Sequence, residues 1–401
     1  MKTATDPHDV WIVLTDGDNV FDAEFRTGAL AFAREQGLFR LRLASEWSGL
    51  GALMASPFAK SGRLAVITHA TEDATLKAIA KADIPSILLG ASSEEHWRKA
   101  MKKPVTVCSV DNQAVGRMAA DYLYGQNRYT SYVYTDGSSF ESWQWWTRSR
   151  YEAFVGTLAE HGFTDPVPHF AFYSKSPDDD ALALVRLIRT LPQPVAVFAC
   201  NDRIAAETVA ACAIGGLHVP DDVAVIGVDN EIPVCESAPT AISSIKIEHQ
   251  RLGRTAMNLM MHIIKTGQRR DSTILCPPVR VIERDSTKRT VPNDRFVAKA
   301  VEYIRVAAPS SLDVTSAVRA SGASRSYLEK RFRADTGRSI IAAIHARLLG
   351  DVKRLLLDTD RSVSFIAAEA GFPSPSALCA LFKREIGMTP NEFRASRRVK
   401  A

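Results

Sequence analysis

One pattern occurs twice near the C-terminus, as S-R-S-Y-L-E-K-R-F-R-A-D-T-G at residues 324–337 and as S-P-S-A-L-C-A-L-F-K-R-E-I-G at residues 374–387. A serine before a helix accepts hydrogen bonds from the free N–H groups of the first turn, and a glycine after the last turn adopts the left-handed cap conformation. Leucine and phenylalanine four positions apart lie on one helix face. Each copy therefore predicts a capped helix that buries one stripe.

A second, shorter helix is predicted before each copy. These helices span residues 314–321, before Gly322, and residues 363–370, before Gly371. Helix, glycine turn and capped helix together form a helix-turn-helix unit. A helical packing module would also explain one such unit. Two units in tandem, joined by an apolar-periodic stretch over residues 340–355, favour DNA binding.

The charge distribution supports the same interpretation. Residues 293–401 contain 19 Lys and Arg against 11 Asp and Glu, a net charge of +8, whereas residues 1–292 carry −3. A basic charge confined to one small segment is typical of a domain that binds phosphates. We expect double-stranded DNA to be its partner.

The candidate DNA contacts lie on the outward faces of the two repeated helices. In the first helix, Arg325 and Ser326 occupy the first turn, where recognition helices contact base edges, and Lys330 and Arg333 suit phosphates. An ordinary solvated helix face would look the same. In the second helix the corresponding candidates are Ser376, Ala377 and Lys383.

Residues 294–396 resemble the AraC-family DNA-binding domain, which closes with a T-P-x-x-[FY]-R pattern, here Thr389, Pro390, Phe393 and Arg394. The resemblance implies two helix-turn-helix units on one linking helix, reading major-groove segments about one helical turn, roughly 34 Å, apart. Gly350 lies inside the linking helix. Glycine costs about 1 kcal/mol there relative to alanine, so we expect a bent or locally weak helix.

The first 285 residues show a different pattern, in which short apolar runs alternate with amphipathic stretches. Runs such as 64–68, 195–199 and 223–228 are typical of buried strands, and 113–124 and 203–215 of helices. This order predicts an α/β fold with parallel sheets and helices on both faces. Ligands of such sheets bind beyond the carboxyl ends of the strands.

Carboxylates and amides follow the predicted strands, and no glycine-rich phosphate loop does. Such groups suit a neutral polyhydroxylated ligand. The residues are Asp16, Asp18, Asn19 and Asp22 after the first strand, Asp136 later, then Asn201 and Asp202, and finally Asp229, Asn230 and Glu231.

Motifs of phosphate loops, zinc proteases and serine hydrolases do not occur in the sequence. We therefore expect no enzymatic activity, no cofactor and no metal. A sugar-modifying enzyme with a DNA-binding tail remains an alternative on grounds of fold.

Trp143, Trp145 and Trp146 form the densest aromatic cluster, beside Arg148 and Arg150. Indole rings suit the apolar face of a sugar, and Trp146 is the best candidate for such a contact. A lobe core with cation–π contacts explains the cluster equally well.

The segment 201–260 resembles the effector-binding core of the lactose/purine-repressor family, whose members are two-lobed relatives of periplasmic sugar-binding proteins. The match rests on Asn201-Asp202, on residues 219–223 and on Gly227-Val228-Asp229-Asn230. A sensor of this type followed by an AraC-type domain resembles the family of bacterial D-xylose operon regulators, which also share the run at 277–284.

This resemblance implies a sugar-sensing domain over 8–285, a linker over 286–293 and the DNA-binding domain over 294–396. Lobe 1 is expected over 8–110 and 242–272, and lobe 2 over 111–241 and 273–285.

The resemblance also implies effector contacts at Asp111, Arg150, Asn201 and Asp229. Helix capping or lobe-crossing geometry is the alternative role of Asp111 and Asp229, and Asp202 could cap the helix that follows it. The expected function is a transcriptional regulator, an activator, that responds to D-xylose or a related pentose. A different ligand, a repressor, and an architectural DNA binder with a vestigial sensor remain alternatives.

Location and assembly follow from further features. Residues 1–9 are polar and the later apolar runs are short, which predicts a cytoplasmic protein with no membrane partner. The six cysteines form no C-x-x-C pair and are expected to be reduced. A homodimer is expected, with RNA polymerase as a partner if the protein activates transcription.

Overall fold

The computed structural model describes residues 10–16, 20–38, 40–45, 63–69, 73–90, 103–137, 145–173, 177–288, 294–336 and 338–397. The strands are β1 (Trp11–Asp16), β2 (Leu41–Ser45), β3 (Leu64–Thr68), β4 (Ser86–Leu89), β5 (Thr106–Val110), β6 (Ser131–Asp136), β7 (His169–Ala171), β8 (Val195–Ala199), β9 (Val223–Val228), β10 (Ser243–Ile247), β11 (Ser272–Cys276) and β12 (Pro278–Ile282). The helices are α1 (Val20–Glu35), α2 (Asp73–Ala82), α3 (Asn112–Gly125), α4 (Trp145–Glu160), α5 (Pro177–Thr190), α6 (Asp202–Gly215), α7 (Ile232–Ser237), α8 (His249–Thr266), α9 (Arg295–Val306), α10 (Val314–Ser321), α11 (Arg325–Thr336), α12 (Ile340–Asp358), α13 (Val363–Glu369), α14 (Pro375–Ile386) and α15 (Pro390–Arg397).

Two six-stranded sheets form the first part of the chain. The first sheet has the order β2-β1-β3-β4-β5-β11, and the second has the order β7-β6-β8-β9-β10-β12. The described pairs are parallel, except that β10 and β12 are antiparallel. Strands β5, β8 and β9 are buried along their whole length, because helices cover both faces, and this is why they read as continuous apolar runs. The predicted α/β fold is confirmed.

The chain crosses three times between lobe 1, built on the first sheet, and lobe 2, built on the second. It crosses after β5, after β10, and at Pro277 between β11 and β12. The second and third crossings differ from the predicted ones, because β10 pairs with β9 of lobe 2 and β11 pairs with β5 of lobe 1. The crossovers therefore follow residues 247 and 276, and not 241 and 272.

The predicted linker also begins too early. Ser286 and Thr287 are fully buried in lobe 2. The Ser286 N–H donates to Ala241 O at 2.8 Å, and its hydroxyl donates to Val225 O at 2.5 Å. Because these hydrogen bonds attach the segment to the second sheet, residues 286–288 belong to the sensor. Residues 289–293 lie outside the described part of the chain.

The C-terminal domain begins at Asp294, whose carboxylate caps α9. It contains two hydrophobic cores that share the linking helix α12. The first half of α12 packs with Leu328 and Phe332, and the second half packs with Leu378 and Phe382. Two helix-turn-helix units on one linking helix are therefore present, as the sequence predicted.

The linking helix is continuous from Ile340 to Asp358, so Gly350 does not interrupt it. Five of the six cysteines are buried, and none of the described cysteines forms a disulfide. Burial raises the pKa of the Cys108 and Cys212 thiols to about 12. Among the described residues, no helix is both long and apolar enough to cross a bilayer. None of them forms a cluster of His, Cys, Asp or Glu suited to a metal.

Candidate effector cleft and DNA-binding surface

Asp229 lies directly after β9, at the carboxyl edge of the second sheet. Its backbone has φ +98°, and Asn230 follows with φ +55°. Non-glycine residues rarely adopt such values, and those that do are concentrated at functional sites. The turn is held because the Asp229 N–H donates to Ile245 O at 2.9 Å and the Asn230 N–H donates to Ser244 Oγ at 2.9 Å. The strained turn aims the Asp229 carboxylate at lobe 1.

The carboxylate of Asp229 contacts one basic group and is influenced by the charge of a second. Its Oδ1 lies 3.2 Å from Nε2 of His249, the first residue of α8 in lobe 1. Burial by itself raises the pKa of Asp229, but the His249 hydrogen bond and the charges of His249 and Arg150 outweigh it, so the pKa is lowered below its ordinary value. Asp229 is therefore an ionised acceptor at neutral pH.

Arg150 is buried within lobe 2, with 4% of its surface exposed. Its Nε donates to Asn112 Oδ1 at 2.9 Å, its Nη1 donates to Cys200 O, and its guanidinium lies 4.8 Å from the centre of the Trp146 ring. Helices α3 and α4 cross closely there, because a Cβ on Gly116 would lie 2.3 Å from Arg150 O. The guanidinium is therefore fixed in place before any ligand arrives.

Asp111 and Asn201 serve as helix caps. Asp111 Oδ1 accepts the Ala114 N–H at 2.8 Å, and Asn201 Oδ1 accepts the Ile204 N–H at 3.0 Å. The cap of α6 is thus Asn201 and not Asp202. Both caps lie at strand ends and leave one side-chain polar atom outside the capping bond, so their role as effector ligands stays a prediction.

Asp202 is buried beside Asp229 in the first turn of α6. Burial raises its pKa, and the negative charge of Asp229 raises it further, to about 7. Its Oδ2 accepts the Glu231 N–H at 2.6 Å. Asp202 thus braces the turn that holds Asp229.

The lobe 1 side of the cleft contains Asp22, which is 2% exposed. Its Oδ1 lies 2.6 Å from His69 Nε2. The Phe21 ring stands edge-on to His69 at 5.1 Å and to His249 at 5.0 Å. The sequence interpretation missed both histidines, although His69 follows β3 directly and the rule of strand ends points to it. Asp16 ends β1, and Asp18 and Asn19 lie outside the described residues.

The described tryptophans have different surroundings, and contact of Trp146 with a sugar stays a prediction. Trp146 is half-buried and packs against Arg150 and the core of lobe 2. Trp145 reaches across the cleft, where its Nε1 donates to Gly90 O of lobe 1 at 3.2 Å. Trp143 lies outside the described residues. Trp145, and not Trp146, therefore joins the lobes.

The first recognition helix, α11, turns its apolar stripe inward. Leu328 and Phe332 are at most 1% exposed. The Arg325 guanidinium pairs with Glu329 at 2.8 Å on the outer face. The predicted contact residues on this helix are all exposed: Arg325, Ser326, Lys330 and Arg333.

The second recognition helix, α14, buries Leu378 and Phe382 completely. Ser376 and Lys383 are exposed, whereas Ala377 is half-buried. The N–H of Ala377 donates to the capping hydroxyl of Ser374 at 3.1 Å. Exposure thus suits Ser376 and Lys383 better than Ala377, and contact of all three with DNA stays a prediction.

Comparison with known proteins agrees with this geometry. The sequence matches a periplasmic binding protein-like domain over residues 120–287 and a helix-turn-helix domain over residues 317–396. The xylose operon regulatory protein of Escherichia coli (strain K12) is 32% identical over 323 residues, which cover 79% of this chain and 80% of that protein. The protein of the same name from Haemophilus influenzae is 28% identical over 338 residues, covering 82% and 84%. The solved structure of a xylose-binding transcription activator matches with a TM-score of 0.59 and 26% identity over 96% of this chain and 97% of that chain.

A two-lobed sensor followed by two helix-turn-helix units defines a ligand-responsive transcriptional regulator. Its DNA-binding half is of the AraC type. The chain belongs to the family of xylose operon regulatory proteins.

Proposed function

We propose that the protein binds D-xylose or a related pentose between its lobes and activates transcription in response. The observation that carries this proposal is the contact of Asp229 in lobe 2 with His249 in lobe 1 at a strand end, within the electrostatic influence of the buried Arg150. The names of the relatives supply the sugar.

The chemistry of the cleft suits a neutral sugar. An ionised carboxylate and an arginine fork accept from and donate to vicinal hydroxyls through charge-assisted hydrogen bonds. Trp146 packs against Arg150 in lobe 2, and we assign its indole ring to the apolar face of the sugar. Asp111, Asn201 and Asp22 complete the proposed set of contacts around the ring.

A ligand that bridges both lobes favours the arrangement in which the lobes are close together. Because a ligand shifts an equilibrium only by its different affinity for the two states, contacts on both lobes are what make the sensor respond. Asp229 in lobe 2 and Asp22 in lobe 1 satisfy this condition.

The response reaches DNA through the two recognition helices. Arg325, Ser326 and Ser376 read bases, with Ala377 beside them, while Lys330, Arg333 and Lys383 bind phosphates. A cytoplasmic homodimer places two such domains on neighbouring half-sites and, as an activator, contacts RNA polymerase. The protein works by binding and not by catalysis.

A thermal-shift screen of the full-length protein with pentoses and hexoses tests the sugar. A ligand at a hundredfold over its dissociation constant adds about 2.7 kcal/mol of stability. We expect a shift with D-xylose or another pentose that is lost in Asp229→Ala and kept in Asp165→Ala, a matched change at an exposed site away from the cleft. If no sugar shifts the melting temperature, the proposed monosaccharide ligand is wrong, whereas the assignment of the C-terminal domain to DNA binding is unaffected.

A further inference from the structure

The C-terminal end of α6 in lobe 2 lies directly against the linking helix α12 of the DNA-binding domain. The contact is between two glycines, Gly216 and Gly350. A Cβ on Gly350 would lie 2.9 Å from Gly216 O, and a Cβ on Gly216 would lie 2.8 Å from Gly350 O. Gly216 also has φ +73° as the C-cap of α6, a conformation that favours glycine. Backbone thus meets backbone, which explains the glycine inside an otherwise regular helix.

Polar contacts hold the two helices together beside the glycines. Lys353 Nζ of α12 donates to Ala213 O in the last turn of α6 at 2.9 Å. Arg189 of lobe 2 donates through Nη1 to both carboxylate oxygens of Asp358 at 2.7 and 2.8 Å, and through Nη2 to Gly215 O at 2.7 Å. Cations at the C-terminal carbonyls of a helix are favourable because the helix dipole is negative there. The contact is therefore a specific joint between the sensor and the DNA-binding domain.

The opposite end of α6 lies in the effector cleft. Asn201 caps it, and Asp202 in its first turn accepts the N–H of Glu231, two residues after Asp229. The helix has 14 residues and spans about 21 Å at 1.5 Å per residue. One rigid element therefore has its first turn at the proposed sugar site and its last turn on the linking helix.

The linking helix is the element that both DNA-binding cores share. Its first half packs in the core of the first recognition helix and its second half in the core of the second. Gly350 lies where the two halves join. A displacement of the α6 end against Gly350 acts on both recognition helices together.

We propose that α6 is the transmission element of this regulator, and that the contact of Gly216 with Gly350 couples occupancy of the cleft to the arrangement of the two recognition helices. This inference rests on the proposed function, since it requires a ligand in the cleft. Binding at Asn201 and Asp229 shifts the first turn of α6. Because the backbones of Gly216 and Gly350 are in direct contact, a displacement of α6 also displaces α12.

Gly350→Ala in the full-length protein tests the joint. The added methyl group meets the Gly216 backbone, which cannot move aside as a side chain can, while alanine favours the helical state of α12. The control is Gly156→Ala in α4, where a Cβ meets nothing within 4 Å. Operator affinity is measured with and without the sugar, and sugar affinity is measured separately.

We expect the sugar to change the operator affinity of the wild type and of Gly156→Ala by a factor in the usual allosteric range, about 5- to 150-fold. In Gly350→Ala this factor falls towards one, although sugar and operator still bind. An unchanged factor in Gly350→Ala overturns the proposal.

A sugar-free measurement separates this inference from the proposed function. Spin labels at two exposed sites, Asp165→Cys in lobe 2 and Ala380→Cys in α14 on a Cys379→Ser background, report the distance between the domains when diluted with unlabelled protein. The wild-type distance distribution should be narrow and should broaden in Gly350→Ala. A broad wild-type distribution overturns the joint, whatever the sugar does. The wild type could instead show a narrow distance distribution and bind no sugar. That result would contradict the proposed function and the transmission role, but it would support the contact between the two domains.

Discussion

Asp229 Oδ1 and His249 Nε2 lie 3.2 Å apart and join lobe 2 to lobe 1. The histidine is the first residue of α8, so the contact lies directly after the second crossover between the lobes. Burial raises the pKa of Asp229, and His249 and Arg150 lower it further than burial raises it. The pair of Asp229 and His249 therefore stabilises the folded state most when Asp229 is ionised.

Asp229→Asn should lower the free energy of unfolding at pH 7 by about 1–3 kcal/mol, because a buried acceptor loses its charge-assisted bonds. A carboxyl whose folded pKa is lowered stabilises the fold above its unfolded pKa, and this contribution is lost as the pH falls through the folded pKa. Urea unfolding of the two proteins should therefore converge as the pH is lowered from 7 towards 3. A constant difference over that range would contradict the ion pair, and Asp165→Asn, at an exposed site, should show none.

Asp202→Asn should stabilise the protein more at pH 8 than at pH 5. The folded pKa of Asp202 is raised to about 7, so between its ordinary value and 7 the folded state holds a proton that the unfolded state has released. Wild-type stability therefore falls as the pH rises through this window and levels off above it. Asparagine stays neutral, and its side-chain oxygen can accept the Glu231 N–H in place of Oδ2. Equal effects of the substitution at both pH values would show that Asp202 is ionised throughout.

Arg325→Ala should weaken binding to the specific operator by about 1–3 kcal/mol and relax the choice of base at one position. Arg333→Ala is the comparison, since a phosphate contact weakens binding to all sequences and reduces the salt dependence by about one ion. Titrations with operator and random DNA at several salt concentrations measure both effects. An equal loss on the two DNAs for Arg325→Ala would place this residue on a phosphate.

Phe332→Ala and Phe382→Ala should each lower the free energy of unfolding of the DNA-binding domain by about 3–5 kcal/mol, because each removes a fully buried ring. Phe365→Ala is a matched control in the same domain, since this ring is 49% exposed and should cost about 1 kcal/mol or less, including its cation–π contact with Arg361. Chemical denaturation followed by circular dichroism gives the three values. Similar costs for all three substitutions would contradict the two-core arrangement.

The sequence predicted the C-terminal domain almost completely. Serine caps, the leucine and phenylalanine stripes and the closing glycines are local signals, because helix geometry relates residues only three or four positions apart. Even the first helix of the first unit has the predicted bounds, Val314–Ser321. The rule of strand ends also selected Asp229, Asn201 and Asp22, whose contact with an effector stays a prediction.

Contacts between residues far apart in the sequence could not be predicted in the same way. Asp22 meets His69 47 positions away, and Arg189 meets Asp358 169 positions away. Such contacts depend on the order of the strands in the sheets, which local periodicity does not encode. For the same reason β10 and β11 were assigned to the wrong lobes.

By itself, the sequence determined the class of each domain, the buried face of each recognition helix and the strand ends that carry polar groups, because these depend on short-range periodicity and capping. Tertiary structure alone decided that Asp229 faces His249, that Trp145 and not Trp146 spans the lobes, and that Gly350 meets Gly216. From the sequence alone, Gly350 indicates a weak point in helix α12. The tertiary structure shows instead that this glycine allows the backbone of Gly216 to approach closely.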